Sequence, residues 1–278
     1  MLRGRSLIER PSYYKAWLAS VWMSTPRLED FVPPPELFAA REDYAAVART
    51  LFAALLETSD LQPGERVLDV GCGTGRLAGS LVSHLGPTGS YEGFDRDAGR
   101  IAFCNERIAP LHRGFRFQAV DVFNSERQKG TQRASEFAFP YPDDDFDVVF
   151  LFSVFTHMLP DGVERYLSEI ARVTKPGGRT VITWFLLNDE SLRLLEEQRD
   201  RRHNRASNAH ESALSHDLGV CRVADRSRPE AVVAYQEPFV LETYESSGLE
   251  VRQPIRYGSW IGREGTLLNQ DLVVARKR

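Results

Sequence analysis

Three glycines at alternate positions, Gly71, Gly73 and Gly75, are the first residues of this 278-residue chain whose spacing suggests chemistry. They follow Arg66-Val67-Leu68-Asp69-Val70, whose apolar, β-branched character is that of a strand buried on both faces. They precede Leu77, Leu81 and Leu85, four residues apart, with Ala78 and Val82 beside them, which is helical spacing. A strand–helix turn made of glycine permits positive φ and lets another group approach the backbone. The unpaired N–H groups at the start of the helix suit a carboxylate or a phosphate. The surrounding residues narrow the choice. A dinucleotide turn requires G-x-G-x-x-G, whereas here the third glycine comes one residue early and Arg76 stands in the other position. Asp69 would repel a pyrophosphate. A ligand with an ammonium group as well as a carboxylate suits Asp69 and the loop together.

Further candidates lie at the ends of later apolar runs. Tyr91 to Phe94 ends at Asp95, with Arg96 beside it, 24 residues after Gly71. That is close to where a βαβ unit carries its ribose-binding carboxylate, which can accept two hydrogen bonds from vicinal hydroxyls. Asp97 is available to cap the helix that follows. Phe115 to Val120 alternates as a half-buried strand does and leads into Asp121 and Val122. Phe146 to Phe152 is apolar enough for a central strand, and S-V-F-T-H-M follows it, with Ser153 and His157 just past the strand. A histidine there could act as the base for an alcohol, phenol or ammonium nucleophile. Packing or hydrogen bonding in the loop is its other role.

The D-x-G-x-G-x-G pattern from Asp69 to Gly75, followed in order by the other motifs, resembles class I S-adenosylmethionine (SAM)-dependent methyltransferases. The resemblance covers about residues 60–185 and 238–278. It implies SAM as cofactor, with its methionine end on Asp69, Gly71, Cys72, Gly73, Gly75 and Arg76 and its ribose on Asp95 next to Arg96. It also implies that Asp121 accepts from the adenine amino group and that the Val122 N–H meets a ring nitrogen. The sulfonium methyl then points toward the end of the fourth strand, at Ser153, with His157 as candidate catalytic base. S-V-F-T-H-M resembles a stretch found in many members whatever their chemistry. A dinucleotide oxidoreductase and a SAM-binding regulatory protein without turnover are the competing readings.

The elements that must hold these residues form a doubly wound, mostly parallel α/β sheet. Five strands with helical crossovers end with Arg179–Phe185, after a helix opened by an Asp161–Glu164 capping box and closed at Lys175-Pro176-Gly177-Gly178. Near the carboxyl terminus, Leu249–Tyr257 and Asp271–Ala275 read as strands with no helix between them, so they should pair antiparallel. The resemblance implies seven strands, one of them antiparallel. Residues 1–59 are read as an N-terminal helical lid segment and 60–278 as the SAM-binding domain, with a cap insertion at 186–237 between strands five and six. Tyr13, Trp17, Tyr257 and Trp260 could wall an apolar pocket or stack on a sugar.

Composition sets outer limits. A net charge of −4 without a basic stripe argues against a dedicated nucleic-acid binder. The longest apolar run, Val148 to Phe155, is too short for a bilayer. With no signal-like start, a cytoplasmic protein is expected. Cys72, Cys104 and Cys221 read as free thiols, Cys72 serving through its small size. His203, His210 and His216 match no common metal spacing, so no metal is expected. The expected partner is a small-molecule or saccharide acceptor, with no nucleic acid or membrane, and a homodimer is possible.

Overall fold

A computed structural model describes residues 31–38, 44–123, 130–203, 214–266 and 268–278, with the side chains of 198–203 left aside. The strand β1 (Arg66–Val70) lies at the centre of a seven-stranded sheet. Its side chains alternate between two cores. Leu68 and Val70 enter one, with Ile170 and Tyr244. Val67 enters the other, with Leu55 and Leu81. Covering both faces in this way is what requires the strand to be apolar throughout.

Parallel neighbours follow on either side. β2 (Ser90–Asp95) and β3 (Phe115–Ala119) continue the sheet in one direction, β4 (Phe146–Leu151) and β5 (Thr174–Trp184) in the other. The helices between them are α1 (Tyr44–Ser59) before β1, α2 (Arg76–Leu81), α3 (Ala98–Arg107) and α4 (Pro160–Val173). α2 is shorter than the leucine spacing predicts, because Leu85 belongs to the turn leading to Gly86. α4 starts at Pro160 rather than through the expected capping box. Leu159 is the N-cap without a side-chain bond, and proline at the first helical position supplies the helical φ in advance. Lys175-Pro176-Gly177-Gly178 does not precede β5 but bulges within it, where the register to β4 jumps between Phe146 and Val148.

The last strands are β10 (Leu249–Val251) and β11 (Asp271–Lys277), and the full order is β10-β11-β5-β4-β1-β2-β3. β11 runs antiparallel to both neighbours, as expected. β10 is shorter than the expected Leu249–Tyr257. The strand order reverses between β1 and β4, and such a switch point opens a crevice at the carboxyl ends of the strands.

The insertion after β5 has its own structure. Four short strands, β6 (Leu186–Leu187), β7 (His216–Asp217), β8 (Cys221–Val223) and β9 (Val233–Gln236), form a second sheet in the order β6-β9-β8-β7. Helix α5 (Asp189–His203) lies between β6 and β7 in sequence, and α6 (Glu237–Ser246) follows β9. The sequence reads this region as a charged helix and an irregular stretch. Its strands escape periodicity because each is only two to four residues long. The second sheet is tied to the main body through Tyr235, whose hydroxyl donates to the Met158 carbonyl and whose ring meets Trp184 edge-on at 5.6 Å.

At the amino-terminal end of the main sheet, ion pairs replace apolar packing. Arg179 makes a bidentate pair with Glu65 at 2.7 Å, and Lys175 meets Asp147 at 2.8 Å. The acidic run Asp143-Asp144-Asp145, expected as a solvated turn, meets Arg172, Lys277 and Arg66 in turn. No helix among the described residues is long and apolar enough to cross a membrane.

Candidate active site

The crevice at the switch point holds a cavity of about 520 Å³, within the usual range for a small-ligand site. Its floor is the turn between β1 and α2. Gly71, Gly73 and Gly75 all have positive φ, at 77°, 56° and 73°. Two of them are constrained differently. A Cβ on Gly75 would lie 2.4 Å from Ile108 Cδ1, so this glycine serves packing against α3. A Cβ on Gly73 would meet nothing within 4 Å, because that side of the residue opens toward the cavity it lines.

The turn is held from several directions. Gly73 N–H donates to Asp95 Oδ2 at 3.0 Å, and Asp97 N–H donates to Asp95 Oδ1 at 2.8 Å. Asp97, not Asp95, caps α3, accepting from Gly99 and Arg100. Each oxygen of Asp95 thus keeps acceptor capacity, and the residue lines the cavity. On the other side, the Tyr44 hydroxyl donates to the Thr74 carbonyl at 3.3 Å and lies 3.1 Å from Thr74 Oγ1. Arg76 stacks over Phe38 and Tyr44 at 4.8 and 5.2 Å from the ring centres. Beneath the turn, buried Asp69 accepts from the Tyr91 hydroxyl at 2.8 Å. Burial raises its carboxyl to about 7, against the pull of the Tyr91 bond and with a smaller push from Asp95. A pair of acids under an open loop favours a cation at that end.

The opposite wall is the segment after β4. Ser153 is exposed and lies in the left-handed region at φ 58°, and it lines the cavity. His157 ends a 3₁₀ turn (Phe155–His157) and also lines it. Its Nδ1 is 3.2 Å from the carbonyl of Glu230. A carbonyl only accepts, so the neutral ring carries its proton on Nδ1 and leaves Nε2 as an acceptor. Glu230 belongs to the second-sheet insertion, on the turn Pro229–Ala231, so that insertion does reach the cavity.

The structure therefore gathers Asp69, Gly71, Cys72, Gly73, Arg76, Asp95, Arg96, Val122, Ser153 and His157 around one cavity. It does not bring Asp121 there. β3 ends at Ala119, and the exposed Asp121 carboxylate accepts from the Thr131 main chain and hydroxyl, outside the cavity lining. Tyr257 and Trp260 also stay outside. Tyr257 bonds to Glu237 under Arg263, and Trp260 packs on Phe185 and donates to Asp271. Tyr13, Trp17 and His210 lie outside the described residues, as does most of the proposed lid, whereas Phe38 at its end lines the cavity. Thr74, Arg100, Met158 and Glu230 line it without having been singled out from sequence. Only Thr74, inside the glycine turn, carried any signal.

A family profile described as a methyltransferase domain matches residues 61–226. The chain belongs to the class I SAM-dependent methyltransferases. It is 33% identical over 124 residues to the 2-phytyl-1,4-naphtoquinone methyltransferase of Synechococcus elongatus, covering 45% of this chain and 47% of that protein. It is 33% identical over 127 residues to the demethylmenaquinone methyltransferase of Halalkalibacterium halodurans, covering 45% of each. The chain thus spans about half the length of the curated relatives it matches. Among solved structures, a SAM-dependent methyltransferase from Methanosarcina mazei superposes with a TM-score of 0.51 at 20% identity, over 78% of this chain and 94% of that one. A 1,6-didemethyltoxoflavin-N1-methyltransferase from Burkholderia thailandensis, with 1,6-didemethyltoxoflavin and S-adenosylhomocysteine bound, gives 0.50 at 16% identity, over 100% and 92%. These two structures share the methyltransferase fold.

Proposed function

We propose that this methyltransferase binds SAM across the cavity and methylates a small-molecule acceptor. The observation that carries the reading is Gly73, whose N–H is tied to Asp95 while the space where a Cβ would stand is open. The residues fit the cofactor's charges and hydroxyls. Asp95 has unused lone pairs for a ribose diol. Asp69, held up to about 7 without a cation beside it, would be satisfied by a ligand carrying an ammonium or sulfonium group. Gly71, Cys72, Gly73 and Arg76 would form the seat for the amino-acid end, while Gly75, expected there from sequence, lies outside the lining and holds the turn against Ile108. Arg96 would lie by the ribose and Val122 by the adenine, and Asp121, outside the cavity lining but with lone pairs left beside its Thr131 bonds, would have to turn toward that base.

When bound, SAM supplies a methyl group already activated on a sulfonium. What remains for the protein is to align a nucleophile, exclude water and remove a proton. His157 Nε2 is the proton acceptor in this reading, with Nδ1–H fixed on Glu230. The aromatic and apolar lining, with Phe38, Phe123, Phe152 and Met158, favours a ring compound over a saccharide. The quinone substrates named for the curated relatives agree with this preference.

Calorimetric titration with SAM and with NAD tests the cofactor, and SAM alone should bind. Label transfer from methyl-labelled SAM to a panel of hydroquinones and phenols tests the reaction. His157→Ala should lower turnover by about 10²-fold or more while leaving SAM affinity within about two-fold. Unchanged turnover would remove His157 as the base. SAM binding without transfer to any acceptor would favour a regulatory role.

A further inference from the structure

The wall of the cavity at the tip of β4 contains a hydrogen-bond arrangement that neither the glycine turn nor His157 uses. Ser153 stands in the left-handed region at φ 58°, where a serine is uncommon. Residues from two other strands or their approaches hold it. Its N–H donates to Thr183 Oγ1 of β5 at 2.8 Å. Its hydroxyl donates to Gln270 Oε1, just before β11, at 2.9 Å. The Gln270 amide in turn faces Thr156 Oγ1, with Nε2 at 3.4 Å, and Thr156 is fully buried. In this arrangement Nε2 faces Thr156 and Oε1 faces Ser153. A serine hydroxyl has one proton and two lone pairs. With the proton committed to Gln270, only lone pairs remain for the cavity that Ser153 lines.

We propose that Gln270 is a positioning residue, which turns the Ser153 hydroxyl into a fixed hydrogen-bond acceptor at the methyl-transfer end of the site. The wall therefore selects a ligand group that donates there, an ammonium or a hydroxyl, over one that cannot. This rests on the cofactor reading given above. The backbone geometry supports a functional role for Ser153. Glycine would adopt the same φ freely, so conformation alone gives no reason for a side chain at this position.

The test uses the whole chain and two probes that differ only at the sulfonium centre and its methyl. One is S-adenosylhomocysteine, with a thioether there. The other is the analogue in which an amine-bearing carbon replaces the methylated sulfur. Calorimetry should give the wild type a preference of about ten-fold for the amine analogue, as expected for a hydrogen bond to a charged donor. Gln270→Ala and Ser153→Ala should each abolish that preference while keeping S-adenosylhomocysteine affinity within about two-fold. The double variant should lose no more than either single one, because the two residues act as one chain. Gln270→Glu should retain the preference, since a carboxylate still accepts the Ser153 proton. Ser153→Gly separates structure from function: it should melt no lower than the wild type, having relieved the backbone, yet lose the preference. Equal wild-type binding of both probes, or a preference that survives Gln270→Ala, would overturn the proposal and leave the cofactor reading standing. Failure of the wild type to bind either probe would overturn that reading, and the proposal with it.

Discussion

On the β1–β2 side of the cavity, groups close to the turn in sequence do the holding. Gly73 is bonded to Asp95 one strand over, and Asp69 to Tyr91 on that same strand. On the β4–β5–β11 side, the contacts span most of the chain. Ser153 is held by Gln270, His157 by Glu230, and buried Asp271 accepts from Leu186, Gly258 and Trp260 and pairs with Arg263. The first side is a turn whose shape is set by glycine backbone. The second is a set of side-chain bonds that exists only once the insertion and the last strand are in place. The side proposed to seat the cofactor is thus held by residues near the turn in sequence, and the opposite side by residues far apart in the chain.

Substitutions should separate the two sides. The largest effect on stability is expected from Asp271→Ala. It would leave two main-chain N–H groups, the Trp260 indole and Arg263 facing a buried void, at a cost of about 3–5 kcal/mol in chemical denaturation. Cofactor affinity measured below the unfolding transition should change little. An equal loss of affinity would mean that the sides are not separable. Next comes Gly75→Ala, which combines a left-handed backbone with a Cβ 2.4 Å from Ile108 and should cost about 2–4 kcal/mol. Gly73→Ala incurs only the backbone strain, about 1 kcal/mol, but should abolish SAM binding because its Cβ enters the cavity.

The smallest effect is a pH dependence. Asp69 is raised to about 7 and Asp271 to about 6 by burial, from an ordinary 3.8. Each carboxyl binds its proton more tightly folded than unfolded, so stability falls as pH rises from about 4 toward 7. The ligand-free protein should therefore melt several degrees lower near pH 8 than near pH 5, and Asp69→Asn should flatten part of that slope. Binding of a cationic cofactor near pH 7 should release a proton from Asp69, visible as a buffer-dependent binding enthalpy. Binding without proton release would place the cation away from Asp69.

Much of the fold was legible in sequence because it follows periodicity. Val67 to Val70, Phe146 to Leu151 and the helix around Tyr166 and Ile170 all bury the faces that their spacing predicts. The antiparallel pairing of the last two strands followed from the lack of a helix between them, whereas the order of the strands in the sheet was not read from sequence. The glycine turn and Asp95 were legible because their constraint is local. Gln270 and Glu230 were not, since a glutamine before a strand or a carbonyl in a turn has no pattern until a distant partner arrives. Asp121 stands outside the cavity lining because the residue sits two positions beyond the end of β3, where it accepts from Thr131. The insertion's sheet was hidden by strands too short to alternate.

The Tyr44 hydroxyl on Thr74 bears on how the protein can be trimmed. The family match begins at residue 61, so a boundary drawn by homology would remove α1 and Phe38 with it. Such a shortened protein would keep every strand among the described residues and the three glycines of the turn. It would also uncover Val67, Leu77 and Leu81, which pack in one core with Phe52 and Leu55 of α1, and the turn would lose the contacts of Phe38 and Tyr44 with Arg76 and Thr74. A fragment that folds but fails to hold its cofactor would be the expected product of that shortcut, and an inactive preparation of it would say nothing about the chemistry of the intact chain.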